Sequence, residues 1–115
     1  MKTFPELDPT GKDPHQPGAK LDAGKNRLGL VLGDFARALE QVGRVGTYGA
    51  QKYSAHGWID APDGVERYTD AMYRHLLKNA SGEVVDLDTG ISHLAHAAWN
   101  ALAVLDLEIR RTQCA

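Results

Sequence analysis

Residues 89–111 constrain the fold more than any other stretch of this chain. The run is rich in alanine and leucine, and Ile91, Leu94, Ala95, Ala97, Ala98, Trp99, Leu102, Ala103, Val104 and Leu105 fall on almost every side of a helical repeat. A helix that is apolar all round has to be wrapped by other elements, so the rest of the chain is read for its partners. Leu28, Leu32, Phe35, Leu39 and Val42 recur at steps of four, three, four and three, which predicts an amphipathic helix over about 28–53. Gly43, Gly46 and Gly49 each weaken its second half by about 1 kcal/mol relative to alanine, so a kink or split is expected there. Their spacing leaves one face bare, suited either to close packing of a neighbouring helix or to approach of a ligand to backbone. A second helix is predicted over about 65–79, stopped by Asn79 and Gly82, with Glu66, Asp70 and Arg74 as a surface charge ladder. The third, over about 89–111, has Asp88 or Thr89 as its cap. No convincing strand and no internal repeat appears, so the expected fold class is all-α: a compact bundle of three main helices with an irregular N-terminal arm.

Four of the five prolines, Pro5, Pro9, Pro14 and Pro17, stand before residue 18, a composition that sustains neither a hydrogen-bonded helix nor a buried strand. The expected organisation is an arm over 1–19, one helical domain over 20–111 and a short tail over 112–115. A chain of 115 residues is about one domain with a small core, and self-association through a helical face, as a dimer or tetramer, is expected. The net charge of −2 supplies no bulk positive field for a nucleic-acid backbone or an anionic membrane. A helix-turn-helix in 34–58 is disfavoured by the same balance and by the lack of a basic second helix. No window approaches the roughly 18–20 apolar residues of a membrane span, and MKTFPELDPTGK lacks the apolar run of a secretion signal. A cytoplasmic protein is expected. The lone Cys114 excludes an intrachain disulfide and a Cys-pair zinc site.

The chemistry is expected where polar residues interrupt the apolar helix. His93, His96 and Asn100, at steps of three and four, form one polar line on one face. Buried polar groups need partners, since an unpaired one costs about 1–3 kcal/mol. Two readings stand: hydrogen bonding within the bundle, or a catalytic or metal-linked role. Candidate partners are His75 near the end of the second helix and Glu83, Asp86 and Asp88 in the acidic connector. Carboxylates suit a hard ion such as Mg²⁺ or Mn²⁺, which leaves coordination positions for the phosphates of a substrate. The cations Lys20, Lys25, Arg27, Lys52 and Arg74 supply the opposite charge, the first three on a glycine-containing loop with Asp22. Neither a Walker loop nor a dinucleotide fingerprint is present. Tyr53 and Trp58 are suited to stack on a base or to cover core.

In order along the chain, KLDAGKNRL at 20–28, YGAQKY at 48–53 with Trp58 after it, RYTDAMYRHLL at 67–77, GEVVD at 82–86 and TGISHLAHAAWNAL at 89–102 resemble the phage dATP/dGTP diphosphohydrolase family. Its members look like distant relatives of the all-α, MazG-like nucleoside triphosphate pyrophosphohydrolases. The resemblance implies an oligomeric, metal-dependent enzyme that cleaves a deoxypurine triphosphate to the monophosphate and pyrophosphate. The MazG-like pattern holds its metal with Glu-x-x-Glu on one helix and Glu-x-x-Asp on the next. Only Glu83-Val-Val-Asp86 fits here, and His75, His93 and His96 are expected to replace part of the acidic set. On this resemblance the catalytic residues are His93 and Glu83, the Mg²⁺ or Mn²⁺ ligands come from Glu83, Asp86, His75, His93 and His96, and the substrate contacts are Lys20, Asp22, Lys25, Arg27, Lys52, Tyr53, Trp58, Arg74 and Asn100. An HD-type phosphohydrolase is the other enzymatic option, but the adjacent His-Asp pair is missing. A small helical nucleotide-binding or regulatory protein without turnover is the non-enzymatic alternative.

Overall fold

The computed structural model describes residues 5–113; Cys114 lies outside them. The chain divides into two compact units, one up to Asp34 and one from Phe35 onward. Among the described residues the elements are helices: α1 (Gly29–Leu32), α2 (Ala36–Lys52), a 3₁₀ turn (Gly57–Asp60), α3 (Gly64–Ala80) and α4 (His93–Gln113), with one isolated antiparallel bridge between Val85 and Ser92. The all-α expectation is met.

In the first unit the proline-rich segment forms turns. The Asp8 carboxylate accepts hydrogen bonds from the Thr10 amide and hydroxyl, both at 2.6 Å, and from the Lys20 amide at 2.8 Å. These donors favour its charged form and hold its pKa below the ordinary carboxylate value, the Thr10 hydroxyl most of all. The helix predicted over 28–53 is in fact two pieces, broken at Gly33–Phe35. Leu28, Leu32 and Phe35, which started the apolar stripe, are all exposed. A glycine followed by aspartate interrupts the helix more effectively than the three later glycines, which α2 runs through without a break.

In the second unit α3 and α4 pack antiparallel: Leu107 Cδ1 lies 3.0 Å from where a Cβ on Gly64 would stand, while Tyr68 meets Trp99 and His75 meets His93 further along. An alanine at 64 would need the Leu107 side chain to give way slightly. α2 lies on α4 as well. Val45 of α2, Ile91 and Ala95 form the buried core, with Tyr48 and Trp99 packed against it. Trp99 makes edge contacts with Trp58 at 5.9 Å and Tyr68 at 5.6 Å. A Cβ on Gly46 would stand 3.5 Å from Trp99 Nε1, whereas Gly43 and Gly49 face open space. The bare face therefore admits a neighbouring helix at one glycine only.

The α4 helix is less covered than its composition suggests. Ala95, Ala97 and Ala103 are buried, but Leu94, Leu102 and Leu105 are exposed, because two neighbouring helices cover only part of its circumference. It also begins four residues later than predicted. Residues 84–93 form a small hairpin instead, in which Asp86 N donates to Ile91 O at 2.9 Å and His93 N to Val84 O at 2.9 Å, with Gly90 in the left-handed region at φ 73°. Ser92, rather than Asp88 or Thr89, caps α4: its hydroxyl accepts from Leu94 N at 3.1 Å.

Candidate metal centre and active site

Three short pieces of backbone set up the site. α3 ends in a Schellman turn, with Gly82 N donating to Asn79 O, Glu83 N to Lys78 O, and Gly82 at φ 101°. That turn delivers Glu83 directly after the helix. The hairpin then carries Asp86 and Thr89 back across the start of α4. Asp86 Oδ1 accepts from Asp88 N at 2.9 Å, which fixes the turn and leaves Oδ2 for the interior. The first turn of α4 presents His93 and His96, and the last turn and a half of α3 presents His75.

These side chains converge. His93 Nε2 lies 2.7 Å from Glu83 Oε2, and His93 Nδ1 lies 2.8 Å from His75 Nδ1. The His75 and His96 rings stack, with centroids 4.5 Å apart and planes 7° from parallel. His96 Nε2 is 2.8 Å from Thr89 Oγ1 and 3.6 Å from Asp86 Oδ2. The ligand atoms of His75, Asp86 and His96 all fall within 4.8 Å of one another. Two imidazoles and a carboxylate at that separation can hold a divalent ion. Of the two hard ions, Mn²⁺ accepts imidazole nitrogen more readily than Mg²⁺, which prefers oxygen throughout.

The hydrogen bonds constrain the protons. An ionised carboxylate only accepts, so His93 Nε2 carries hydrogen toward Glu83. In the arrangement with one hydrogen on the His93 ring, its Nδ1 is bare and receives the Nδ1 hydrogen of His75, which leaves His75 Nε2 with a free lone pair. That arrangement is the one in which His75 can serve as a ligand or a base. Burial holds the His75 pKa below the ordinary imidazole value, reinforced by His96 and His93. Burial lowers that of His96 as well, against the pull of Asp86. Both rings are neutral near pH 7, the state a metal ligand needs.

Among the described residues no buried side-chain polar atom lacks a partner, so the polar line on α4 is fully satisfied within the chain. His93 is 3% exposed and has both ring nitrogens engaged. Asn100 is also buried, and its amide donates to His96 O at 2.8 Å, one turn back along α4. The other residues expected at the site lie in several places. Arg74 is exposed, and its charge reaches His75. Trp58 packs against Trp99 and under Arg110, and its carbonyl accepts from Tyr68 Oη at 3.3 Å. Lys52 and Tyr53 are exposed at the end of α2, with the Lys52 ammonium 5.3 Å from the Tyr53 ring centre. Lys20, Asp22, Lys25 and Arg27 are exposed in the first unit. Glu83 and Asp86 lie in the turn and hairpin rather than on a helix, which departs from the MazG-like pattern. Thr89 was legible in the sequence only as a helix cap, yet it holds His96; the signal was a hydroxyl seven residues before an imidazole, which becomes informative only once the hairpin is known.

Comparison with known proteins agrees with the resemblance. The family model described as dATP/dGTP diphosphohydrolase, N-terminal, matches residues 15–115. The dATP/dGTP diphosphohydrolase of Salmonella phage PMBT28 is 40% identical over 81 residues, which is 70% of this chain and 26% of that protein. The chain thus spans about a quarter of the length of its relative. No solved structure matches. With the match extending over the hairpin and all three imidazoles of the site, the chain belongs to the dATP/dGTP diphosphohydrolase family, in its N-terminal region.

Proposed function

We propose that this chain acts on purine deoxynucleoside triphosphates, cleaving between the α and β phosphates to give the monophosphate and pyrophosphate, and so reshapes the nucleotide pool of a phage-infected cell from the host cytoplasm. The observation that carries the reading is the convergence of His75, Asp86 and His96 on one point, backed by His93 and Glu83. The family match and the printed name of the relative supply the substrate class.

His75, Asp86 and His96 would hold the ion, Mn²⁺ in preference to Mg²⁺. When bound, a divalent ion neutralises phosphate charge and makes water a better nucleophile. Glu83 and His93 act through His75, fixing its tautomer and ring plane so that its Nε2 lone pair is free to hold the ion. Thr89 orients His96. The exposed Lys52 and Arg74 offer positive charge to the polyphosphate, while Lys20, Asp22, Lys25 and Arg27 are proposed as a substrate loop.

The test is a panel of deoxy- and ribonucleoside triphosphates, with and without Mn²⁺ or Mg²⁺, followed by product analysis. Monophosphate and pyrophosphate appear only with the ion, and Asp86→Ala abolishes them while circular dichroism stays helical. Full turnover by that variant removes the site from the reaction. A second reading is favoured by the length of the relative, nearly four times this matched region: a nucleotide-binding module whose catalysis is supplied by another part of a longer protein. Tight nucleotide binding without any pyrophosphate release selects that reading.

A further inference from the structure

A groove of about 490 Å³ runs along one face of α2, with Glu40, Gly43, Arg44, Thr47 and Gln51 on one side and Thr89 on the other. It is shallow and open to solvent, with a volume within the range of small-molecule sites, roughly 300–1,000 Å³. The α2 residues follow one another at steps of three, one, three and four, so they form a continuous strip about 16 Å long. Thr89 belongs to both places: it lines the groove, and its hydroxyl is 2.8 Å from His96 Nε2 in the metal centre. We propose that this groove is the nucleoside subsite, which takes the base and sugar of a purine deoxynucleotide while the phosphate chain lies at the Thr89 end. The inference rests on the nucleotide reading of the metal centre.

Three features carry it beyond continuity. The floor is bare at Gly43, where an added Cβ would meet nothing within 4 Å. Alanine would favour the helix by about 1 kcal/mol at such a position, and glycine there lets a flat ring approach the backbone. The charge along the groove is polar. Glu40 stands at one end, where it repels phosphate and accepts hydrogen bonds from the N–H groups of a base edge. Lys52 follows Gln51 at the other end, its ammonium influenced first by Tyr53, then by Tyr48 and least by Asp88, the neighbour of Thr89. Arg44 is exposed on the wall, its Nη1 donating to Gln41 Oε1 at 3.0 Å, and its guanidinium plane is suited to stack on a base.

Gly43→Phe fills the groove from a position with free space and raises helix propensity, so the fold is retained. Gly49→Phe makes the same change on the same helix, also into open space but outside the groove, and is the control. Calorimetry with a dGTP analogue bridged by methylene between the α and β phosphates, in the presence of Mn²⁺, reads binding independently of turnover. Gly43→Phe is expected to weaken binding by about tenfold or more, with Gly49→Phe near wild type. If both variants bind as wild type does, the groove is overturned, and turnover of dGTP by the same samples keeps the catalytic reading intact. Weakening by Gly43→Phe in a protein that releases no pyrophosphate supports the groove and overturns the catalytic reading. A wild-type chain that binds no analogue overturns both.

Discussion

His93 shows how the site divides its labour. It is the most enclosed imidazole of the site and touches both Glu83 and His75, and the proposed contribution is to hold His75 in one tautomer. His93→Ala leaves the Glu83 carboxylate and His75 Nδ1 without their partner, and a loss of about 1–3 kcal/mol in unfolding free energy is expected by urea denaturation. His75 and His96 make the metal-free protein sensitive to acid. Burial lowers their folded pKa values from 6.5, so below that pH the unfolded chain takes up protons that the folded chain declines. Stability is therefore complete above about pH 6.5 and falls as the pH drops toward 5. Thermal melts from pH 8 to 5 should show a flat upper limb and a declining lower one, and His75→Gln should flatten the decline. A melting temperature that rises on acidification contradicts the assignment. At this scale the sequence disclosed much: His75, Glu83, Asp86, His93 and His96 were all legible as one set, because polar groups inside an apolar helix have to be satisfied. Their separate roles were not, since spacing along a helix does not say which nitrogen faces which partner. Asn100 lies on the same line yet turns its amide to the helix backbone.

At the scale of elements, α3 was legible from its stop residues and charge ladder and α4 from its alanine- and leucine-rich run, but the start of α4 was not. Apolar residues at Leu87 and Ile91 continue the helical pattern backward, but the Gly90 turn and the pairing of Asp86 with Ile91 claim that segment for the hairpin. This matters for function, because a helix beginning at residue 89 would carry Thr89 along its axis instead of across from His96. Ser92 is the residue that sets the boundary. Ser92→Ala is expected to cost about 1 kcal/mol and to raise hydrogen exchange at the first amides of α4, leaving α2 unchanged. Exchange that rises equally in α2 and α4 would mean that Ser92 does not act locally as a cap. The break in the first predicted helix has a similar cause: periodicity alone linked Leu28 to Val42 and passed over the interruption at Gly33 and Asp34.

At the scale of the molecule, few apolar side chains among the described residues are buried by this chain alone. Tyr73, Leu76, Leu77 and Ala80 line an apolar groove on α3, while Leu94, Leu102, Leu105 and Ile109 are exposed on α4. Apolar area of this kind favours association, so a dimer or tetramer is the proposed state. Light scattering during size-exclusion chromatography should give a multiple of 12.5 kDa, reduced by Leu77→Glu. A wild-type mass of one chain at micromolar concentration contradicts it. Among the described residues no helix is long and apolar enough to cross a membrane, in line with the hydropathy pattern. Everything proposed for the reaction depends on a divalent ion held by His75, Asp86 and His96. The most direct measurement is a Mn²⁺ titration followed by electron paramagnetic resonance, in which bound ion leaves the free-ion signal. The account predicts saturable uptake by the wild-type chain and its loss in Asp86→Asn and His96→Ala; equal uptake by all three proteins would contradict it.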